Sequence, residues 1–250
     1  MNIAISGYGR MGKLIRKIAE QQDHSICAVI DPVSEEAQFK ELNTESLSNA
    51  DVVIDFSVPS SAVENIKRTA QAGVNMVMGT TGWYKEMEAV RGIVEDSGIG
   101  FIWSGNFSTG VNLFFSIVRN AASIINYFES YDPFVHEYHH KNKADSPSGT
   151  ASMIGEIILE ELDRKERMVT ESLKRKIEPG ELHVTSTRGG SIPGTHIVTF
   201  DSGVDTIELK HTARGREGFA AGAITAAAWI KHRSGFYGIE NMMKEIIKGE

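Results

Sequence analysis

The 250-residue sequence contains a single cysteine, Cys27. One thiol excludes an intrachain disulfide and leaves too few thiolates for a cysteine-based zinc site. Long apolar runs are missing as well. The longest windows, such as "AAGAITAAAWI", fall far short of the roughly 20 residues a membrane-spanning helix needs. The opening "MNIAISGYGRMG" has neither a basic segment nor a cleavage-type site, so no secretory leader is expected and the cytoplasm is the expected compartment. Positive charge is also scarce. Twenty-six Lys and Arg face 33 Asp and Glu, a formal net charge of -7, whereas a nucleic-acid binder shows a basic face. Attraction for an anionic ligand must therefore come from a local focus of cations.

What is present is ordinary globular composition, 41% hydrophobic and 24% charged, in a chain long enough for one large domain or two small ones. The first hundred residues alternate strand and helix. "NIAISG", "SICAVID", "DVVIDF", "NMVMGTTG" and "GFIWSGN" read as five strands. Helices are expected over Met11 to Glu20, over "SSAVENIKRTAQAG" and over Lys85 to Asp96. Near-continuous apolar strands separated by helices imply a doubly wound parallel sheet of the Rossmann type. After Asn106 the pattern changes. A long apolar helix leads to a strand around Phe134 to Tyr138, a helix from about Thr150 to Leu162, and three strand-like runs, "ELHVTSTRGG", "THIVTFDS" and "DTIELKHTA". This region reads as a second α+β domain with a mixed or antiparallel sheet. The Ala/Gly-rich helix from about residue 217 is expected to return to the first domain. The polar run "DRKERMVTESLKRKIEPGE" reads as an exposed excursion. The expected division is 1–107 plus 217–250 for a dinucleotide, and 108–216 for substrate and oligomer contacts.

"GYGRMG" places Gly7, Gly9 and Gly12 in G-x-G-x-x-G spacing, after the first strand and at the opening of the first helix. Asp31 ends the second strand 19 residues beyond Gly12. In that context Gly7 permits the tight turn, Gly9 lets a pyrophosphate approach the backbone, and Gly12 lets helix and strand pack closely. Tyr8, Arg10 and Met11 complete the loop, whose helix start offers N–H groups to phosphate. Asp31 suits a ribose hydroxyl and repels a 2'-phosphate, which favours NADH, while Arg10 could pair with a phosphate, leaving NADPH open. Gly79, Thr80 and Thr81 follow the fourth strand, and Ser104, Gly105, Asn106 and Phe107 follow the fifth. Ligands of open parallel sheets bind at such carboxyl ends, although each turn alone could be only a turn.

"HEYHHKNKADSPSGTA" concentrates His136, His139, His140, Lys141 and Lys143 in one short stretch. A metal site on the three histidines is disfavoured. Adjacent histidines on a strand point to opposite faces, and no carboxylate or cysteine sits at a helpful helical spacing. No metal is expected. A solvated basic loop is a second reading, and an anion-binding catalytic loop explains more of the residues. Ser148, Gly149 and Thr150 begin a helix whose N-terminus suits a carboxylate, with capping alone the competing role for Ser148 and Thr150. Lys143 is a candidate proton donor, and His139 and His140 can meet a second anionic group.

The same residues resemble the 4-hydroxy-tetrahydrodipicolinate (dihydrodipicolinate) reductase family. The resemblance rests on "EYHHKNKADSPSGTA", "GRMG", "GTTG", "NFSTGVN" and "TRGGSIPGTH", and so spans essentially the whole chain. It implies NADH or NADPH as cofactor, a small cyclic dicarboxylate as substrate and a homotetramer assembled through the second domain's sheet. It implies no metal, and the charge balance and short apolar windows already argue against a nucleic-acid or membrane partner. By the same resemblance His139 is the acid/base histidine and Lys143 the proton donor. His140, Gly149 and Thr150 are then carboxylate ligands. Gly7 to Gly12, Asp31, Gly79 to Thr81 and Ser104 to Phe107 are cofactor positions. Two other readings stay open: an amino-acid dehydrogenase of similar build, acting on aspartate or meso-diaminopimelate, and a cofactor-binding regulator without chemistry.

Overall fold

Apolar residues at nearly every position of Asn2–Ser6 make the first strand, β1, one that must be covered on both faces. The structure, a computed structural model, describes residues 1–249 and divides into two compact units. One is Met1–Thr109 with the chain from Glu217 onward, and the other is Gly110–Arg216.

In the first unit, β1 is joined by β2 (Ser25–Ile30), β3 (Val52–Asp55), β4 (Asn75–Met78), β5 (Gly100–Trp103) and β11 (Gly235–Gly238). They form one sheet in the order β11-β5-β4-β3-β1-β2, parallel throughout. Period-two alternation sorts its side chains. Ile3, Ile5, Val52, Ile54, Val77 and Ile102 share one core with residues of α1 (Arg10–Gln21), α6 (Glu217–Ile230) and α7 (Ile239–Lys248). Ala4, Val53, Met76, Met78 and Phe101 share another with α2 (Ala62–Gln71) and α3 (Met87–Ser97). The chain runs outward from β1 to β2, then crosses back to β3 on the other side. The carboxyl ends of β1 and β3 therefore flank the topological switch point, where open α/β sheets leave a crevice. The α6 helix packs so closely that a Cβ on Gly222 would lie 1.7 Å from the Phe107 carbonyl oxygen.

The second unit is a mixed sheet in the order β10-β9-β6-β8-β7. Its strands are β6 (Asp132–His139), β7 (Arg167–Val169), β8 (Glu181–Arg188), β9 (Thr195–Asp201) and β10 (Thr206–Thr212). β6 and β7 run parallel to β8, whereas β9 pairs antiparallel with both β6 and β10. α4 (Thr109–Ile125) and α5 (Gly149–Glu161) bury Phe114, Val118, Ile154 and Ile158 against Val135, Val184, Val198 and Phe200.

Two elements depart from the sequence expectation. The polar run after Leu162 is not wholly an exposed excursion. It contains the short edge strand β7 and the buried Lys165, whose ammonium meets Asp132 at 2.6 Å and the carbonyls of Pro179 and Glu181 at 2.9 Å. A sixth parallel strand, β11, followed by α7, also completes the first sheet beyond the five expected. Among the described residues no helix is long and apolar enough to cross a membrane.

Candidate active site

The three glycines of the loop differ in what surrounds them. Gly7 adopts φ +86°, and a Cβ there would sit 2.3 Å from the Phe56 carbonyl oxygen. A Cβ on Gly12 would lie 2.1 Å from the Gly7 carbonyl oxygen, so both positions exclude any side chain. Gly9 differs, because a Cβ there would meet nothing within 4 Å. Gly9 is the N-cap of α1, no side chain caps it, and the first turn carries no acid. Arg10 and Met11 continue from it into a cleft of about 420 Å³ lined also by Phe56, Ser57, Pro59, Gly79, Thr80 and Thr81. An open backbone at an uncapped helix start beside a cleft fits the pyrophosphate of a dinucleotide.

The other sequence-nominated positions of this unit do not line the cleft. Asp31 Oδ2 accepts the Tyr8 N–H at 2.7 Å, and its Oδ1 accepts those of Val33 and Ser34 at 2.8 Å. Burial works to raise this carboxyl, but the three backbone donors outweigh it and hold the group below its ordinary range. Asp31 thus shapes the glycine loop, with second lone pairs left for a ribose. Tyr8 is buried, and its hydroxyl accepts from Arg16 at 3.2 Å. Ser104 folds its own turn, donating to the Asn106 carbonyl and accepting the Asn106 N–H, both at 2.9 Å. Gly105 lies beside Tyr84, and Phe107 is core, edge-on to Phe56.

Asp55, not singled out from the sequence, underlies the cleft. Fully buried at the end of β3, it accepts from Ser6 Oγ (2.6 Å) and Asn65 Nδ2 (2.8 Å) on one oxygen. On the other it accepts from Thr80 Oγ1 (2.6 Å), Ser57 Oγ (2.8 Å) and the Ser57 N–H (3.1 Å). Thr80 Oγ1 in turn accepts the Ser57 N–H at 2.7 Å. One carboxylate thereby fixes two of the residues that line the cleft.

The histidine-rich stretch begins on β6, where alternation buries Val135, Glu137 and His139 and turns Phe134, His136 and Tyr138 the other way. His136 leaves the site, its ring lying between the hydroxyls of Thr185 and Thr187. Glu137 is fully buried. It accepts the Ser148 N–H, Ser186 Oγ and Arg188 Nη2, each at 2.8 Å, together with the Ser148 hydroxyl. His139 Nδ1 lies 3.0 Å from Glu137 Oε2, out of line for a hydrogen bond, and His196 Nε2 lies 3.5 Å from the same oxygen. Burial acts to raise the Glu137 carboxyl, yet hydrogen bonds from His196, Ser148, Arg188 and Ser186 hold it well below the carboxylate range. Burial also dominates at His139, lowering it to about 4. Glu137 opposes that shift, while His196, Lys143 and Arg188 add to it.

Ser148 is the N-cap of α5, its hydroxyl accepting the Ala151 N–H at 3.2 Å, so its oxygen is committed to cap and carboxylate. Gly149, the first residue of α5, opens onto free space, and Thr150 follows it. Lys143 pairs with Asp145 Oδ1 at 2.9 Å, and the buried His140 Nδ1 has no hydrogen-bond partner among the described residues. Segment 188–194 packs over this loop: His140 N–H donates to the Ile192 carbonyl, Gly189 N–H to that of His139, and Arg188 to that of Asp145. Gly194 has room only for hydrogen, since a Cβ would stand 2.9 Å from His139 Nε2. Sequence reading sought a carboxylate at helical spacing and missed Glu137, which the strand period of two places beside His139. Glu137, His139 and His196 bring three donor atoms close enough for a cation. However, Oε2, the carboxylate oxygen that faces both rings, already accepts the Ser148 hydroxyl, while Oε1 is taken by Arg188 and the Ser148 N–H.

Two models of one family together cover nearly the whole chain, and the second runs on past Arg216 into the helices that the structure places in the first unit. The family model "Dihydrodipicolinate reductase, N-terminus" matches residues 1–107, and "Dihydrodipicolinate reductase, C-terminus" matches 110–243. The chain belongs to the dihydrodipicolinate reductase family. Curated family members share its full length. The 4-hydroxy-tetrahydrodipicolinate reductase of Christiangramia forsetii is 36% identical over 99% of this chain and 100% of its own. That of Methanoregula boonei is 38% identical over 94% of each chain. The fold matches a dipicolinate-bound dihydrodipicolinate reductase from Paenisporosarcina sp. TG-14, with TM-score 0.78, 24% identity and coverage of 96% and 98%. A diaminopimelate dehydrogenase from C. glutamicum, at TM-score 0.53 and 15% identity, shares fold alone. Fold therefore does not separate reductase from amino-acid dehydrogenase, and the family models do.

Proposed function

We propose that the chain reduces 4-hydroxy-tetrahydrodipicolinate to tetrahydrodipicolinate with NADH or NADPH, in the route to diaminopimelate and lysine. The observation that carries this reading is the match of both family halves to a chain with an open glycine loop in one unit and a buried His139–Glu137 cluster beside a helix start in the other. Gly7 to Gly12, Asp31, Gly79 to Thr81 and Ser104 to Phe107 are the positions that would hold the cofactor: the glycine loop through backbone N–H groups, Asp31 through its carboxylate, and Phe107 from beneath, as the core ring that supports Phe56. When bound, the nicotinamide supplies a hydride. The ring loses its 4-hydroxyl and one hydrogen of a neighbouring carbon as water, and that hydride and one proton then add across the double bond so formed. Lys143 gives the proton to the anion that develops in the conjugated ring, and His139 relays protons beside it. His140 and the start of α5 at Gly149 and Thr150 receive the two carboxylates, with Ser148 holding the helix start in place. The chain is cytoplasmic and assembles as a homotetramer through the sheet of the second unit, where Phe134 is 43% exposed on the face away from α5.

The deciding assay follows loss of NADH and NADPH absorbance with freshly condensed pyruvate and aspartate semialdehyde, with pyridine-2,6-dicarboxylate as inhibitor. Lys143→Ala is expected to lower turnover at least about 100-fold while cofactor still binds, as read by nicotinamide fluorescence. Near-normal turnover in that variant removes Lys143 from the chemistry. Ammonia-dependent reduction in its place would favour the dehydrogenase alternative.

A further inference from the structure

Five groups from four elements converge on Glu137: the cap of α5, Ser186 and Arg188 from β8, His196 from β9, and His139 two residues along β6. A fully buried carboxylate is costly unless paired, and a mere structural tie at this point could be made by an amide. What surrounds this one is the set of groups to which the proposed chemistry belongs. We infer that Glu137 is the positioning residue of the site: without touching substrate, it fixes the start of α5 and the tautomer of His139. The inference rests on the reading that His139 and the start of α5 handle the dicarboxylate.

The geometry sets both effects. Glu137 Oε1 accepts the Ser148 N–H at 2.8 Å, and its Oε2 takes the Ser148 hydroxyl, so cap residue and helix start hang from one carboxylate. The next residues are Gly149, which opens onto free space, and Thr150. At His139 the argument is electrostatic. A ring nitrogen lone pair held 3.0 Å from a carboxylate oxygen is repelled, so the proton of the neutral ring sits on Nδ1 and the lone pair on Nε2. Nε2 is then the atom that exchanges protons. Arg188 extends the tie, since it also donates to the Asp145 carbonyl, two residues from Lys143. The charged and titratable groups facing His139 are Glu137 on its own strand, Arg188 on β8, His196 on β9, and His140 and Lys143 on the following loop, with His211 beyond His196. Glu137 is the one acid among them, so its removal leaves only influences that disfavour a charged ring.

The test compares Glu137→Gln with wild type once wild-type turnover is established. Its failure is therefore separate from failure of the proposed function, which that prior assay decides. Expected are an unchanged cofactor dissociation constant and a loss of about 100-fold in kcat/KM. Any His139-dependent acid limb of the pH–rate profile should move to lower pH. Activity within threefold of wild type and an unmoved profile would overturn the inference. Should the variant fail to fold, ring 15N NMR on the wild-type protein decides alone. Protonation at Nδ1 of His139 supports the inference, and protonation at Nε2 overturns it.

Discussion

Gly9 and Gly12 belong to one motif, yet they are irreplaceable for different reasons. At Gly12 the obstacle is the protein itself, because a methyl group would stand 2.1 Å from the Gly7 carbonyl oxygen. Gly12→Ala must therefore shift α1 against β1, at a cost of about 1–3 kcal/mol or more, visible as a fall in the thermal midpoint. At Gly9 the obstacle, on the proposed function, is the bound cofactor. Its φ of -78° and ψ of -154° are open to alanine, and nothing in the protein opposes a Cβ. Gly9→Ala should melt within about 1–2 °C of wild type but lose cofactor affinity at least about tenfold (roughly 1.4 kcal/mol). Equal cofactor binding in that variant would remove Gly9 from the phosphate contact. Spacing in the sequence is enough to nominate the three glycines. It does not show that Asp31 spends its carboxylate on Tyr8, Val33 and Ser34, since that follows from how the turn after β2 closes. Glu137 was equally hidden. Its signal is the two-residue step to His139 on a strand, but its partners on β8 and β9 lie about 50 residues further on.

At the scale of elements, Asp55 acts as the junction of β1, β3, the turn after β4, and α2, through Ser6, Ser57, Thr80 and Asn65. Replacement by alanine would strand several buried donors together, a loss of about 3–5 kcal/mol by analogy with broken buried charge networks. Asp55→Asn keeps the shape but turns one acceptor into a donor, so its loss should be smaller. Urea denaturation of the two variants measures both, and Asp55→Ala within about 1 kcal/mol of wild type would refute the junction. The five apolar strands of the first unit were legible because each carries a run of apolar residues bounded by turn residues. β11 and β7 were not, for opposite reasons. "GFYG" has two glycines in four residues and is a strand only because the edge of β5 accepts it. "RMV" sits in a charged run whose Arg167 and Arg175 gather on the buried Glu181, a pairing no periodicity reveals.

For the molecule as a whole, buried and half-buried histidines tie stability to pH. His136, His139 and His211 are all lowered, burial being the first cause in each. For His139 the folded value is about 4 against 6.5 for the free side chain. Between those values the unfolded chain takes up a proton that the folded chain refuses, so stability falls as pH drops from 6.5 toward 4 and levels off below. The size is on the order of 3 kcal/mol for a ring this well buried. Glu137 acts in a lower window. Its carboxyl is depressed in the fold, so its contribution is complete above the unfolded value near 4.3 and is lost as pH falls further. A ring carrying two carboxylates near His139 would favour the charged imidazole and raise its proton affinity, so ligand should offset the first loss but not the second. Calorimetry at several pH values between 7.5 and 4.5, with and without pyridine-2,6-dicarboxylate, reads this directly. Wild type is expected to lose several degrees of midpoint across that range, at about 2–4 °C per kcal/mol. His139→Gln, which has no proton to gain, should lose less, and the dicarboxylate should narrow the difference between the two. Parallel curves for the two proteins would mean that His139 is as easily charged in the fold as in water, and that burial does not hold it neutral for proton transfer.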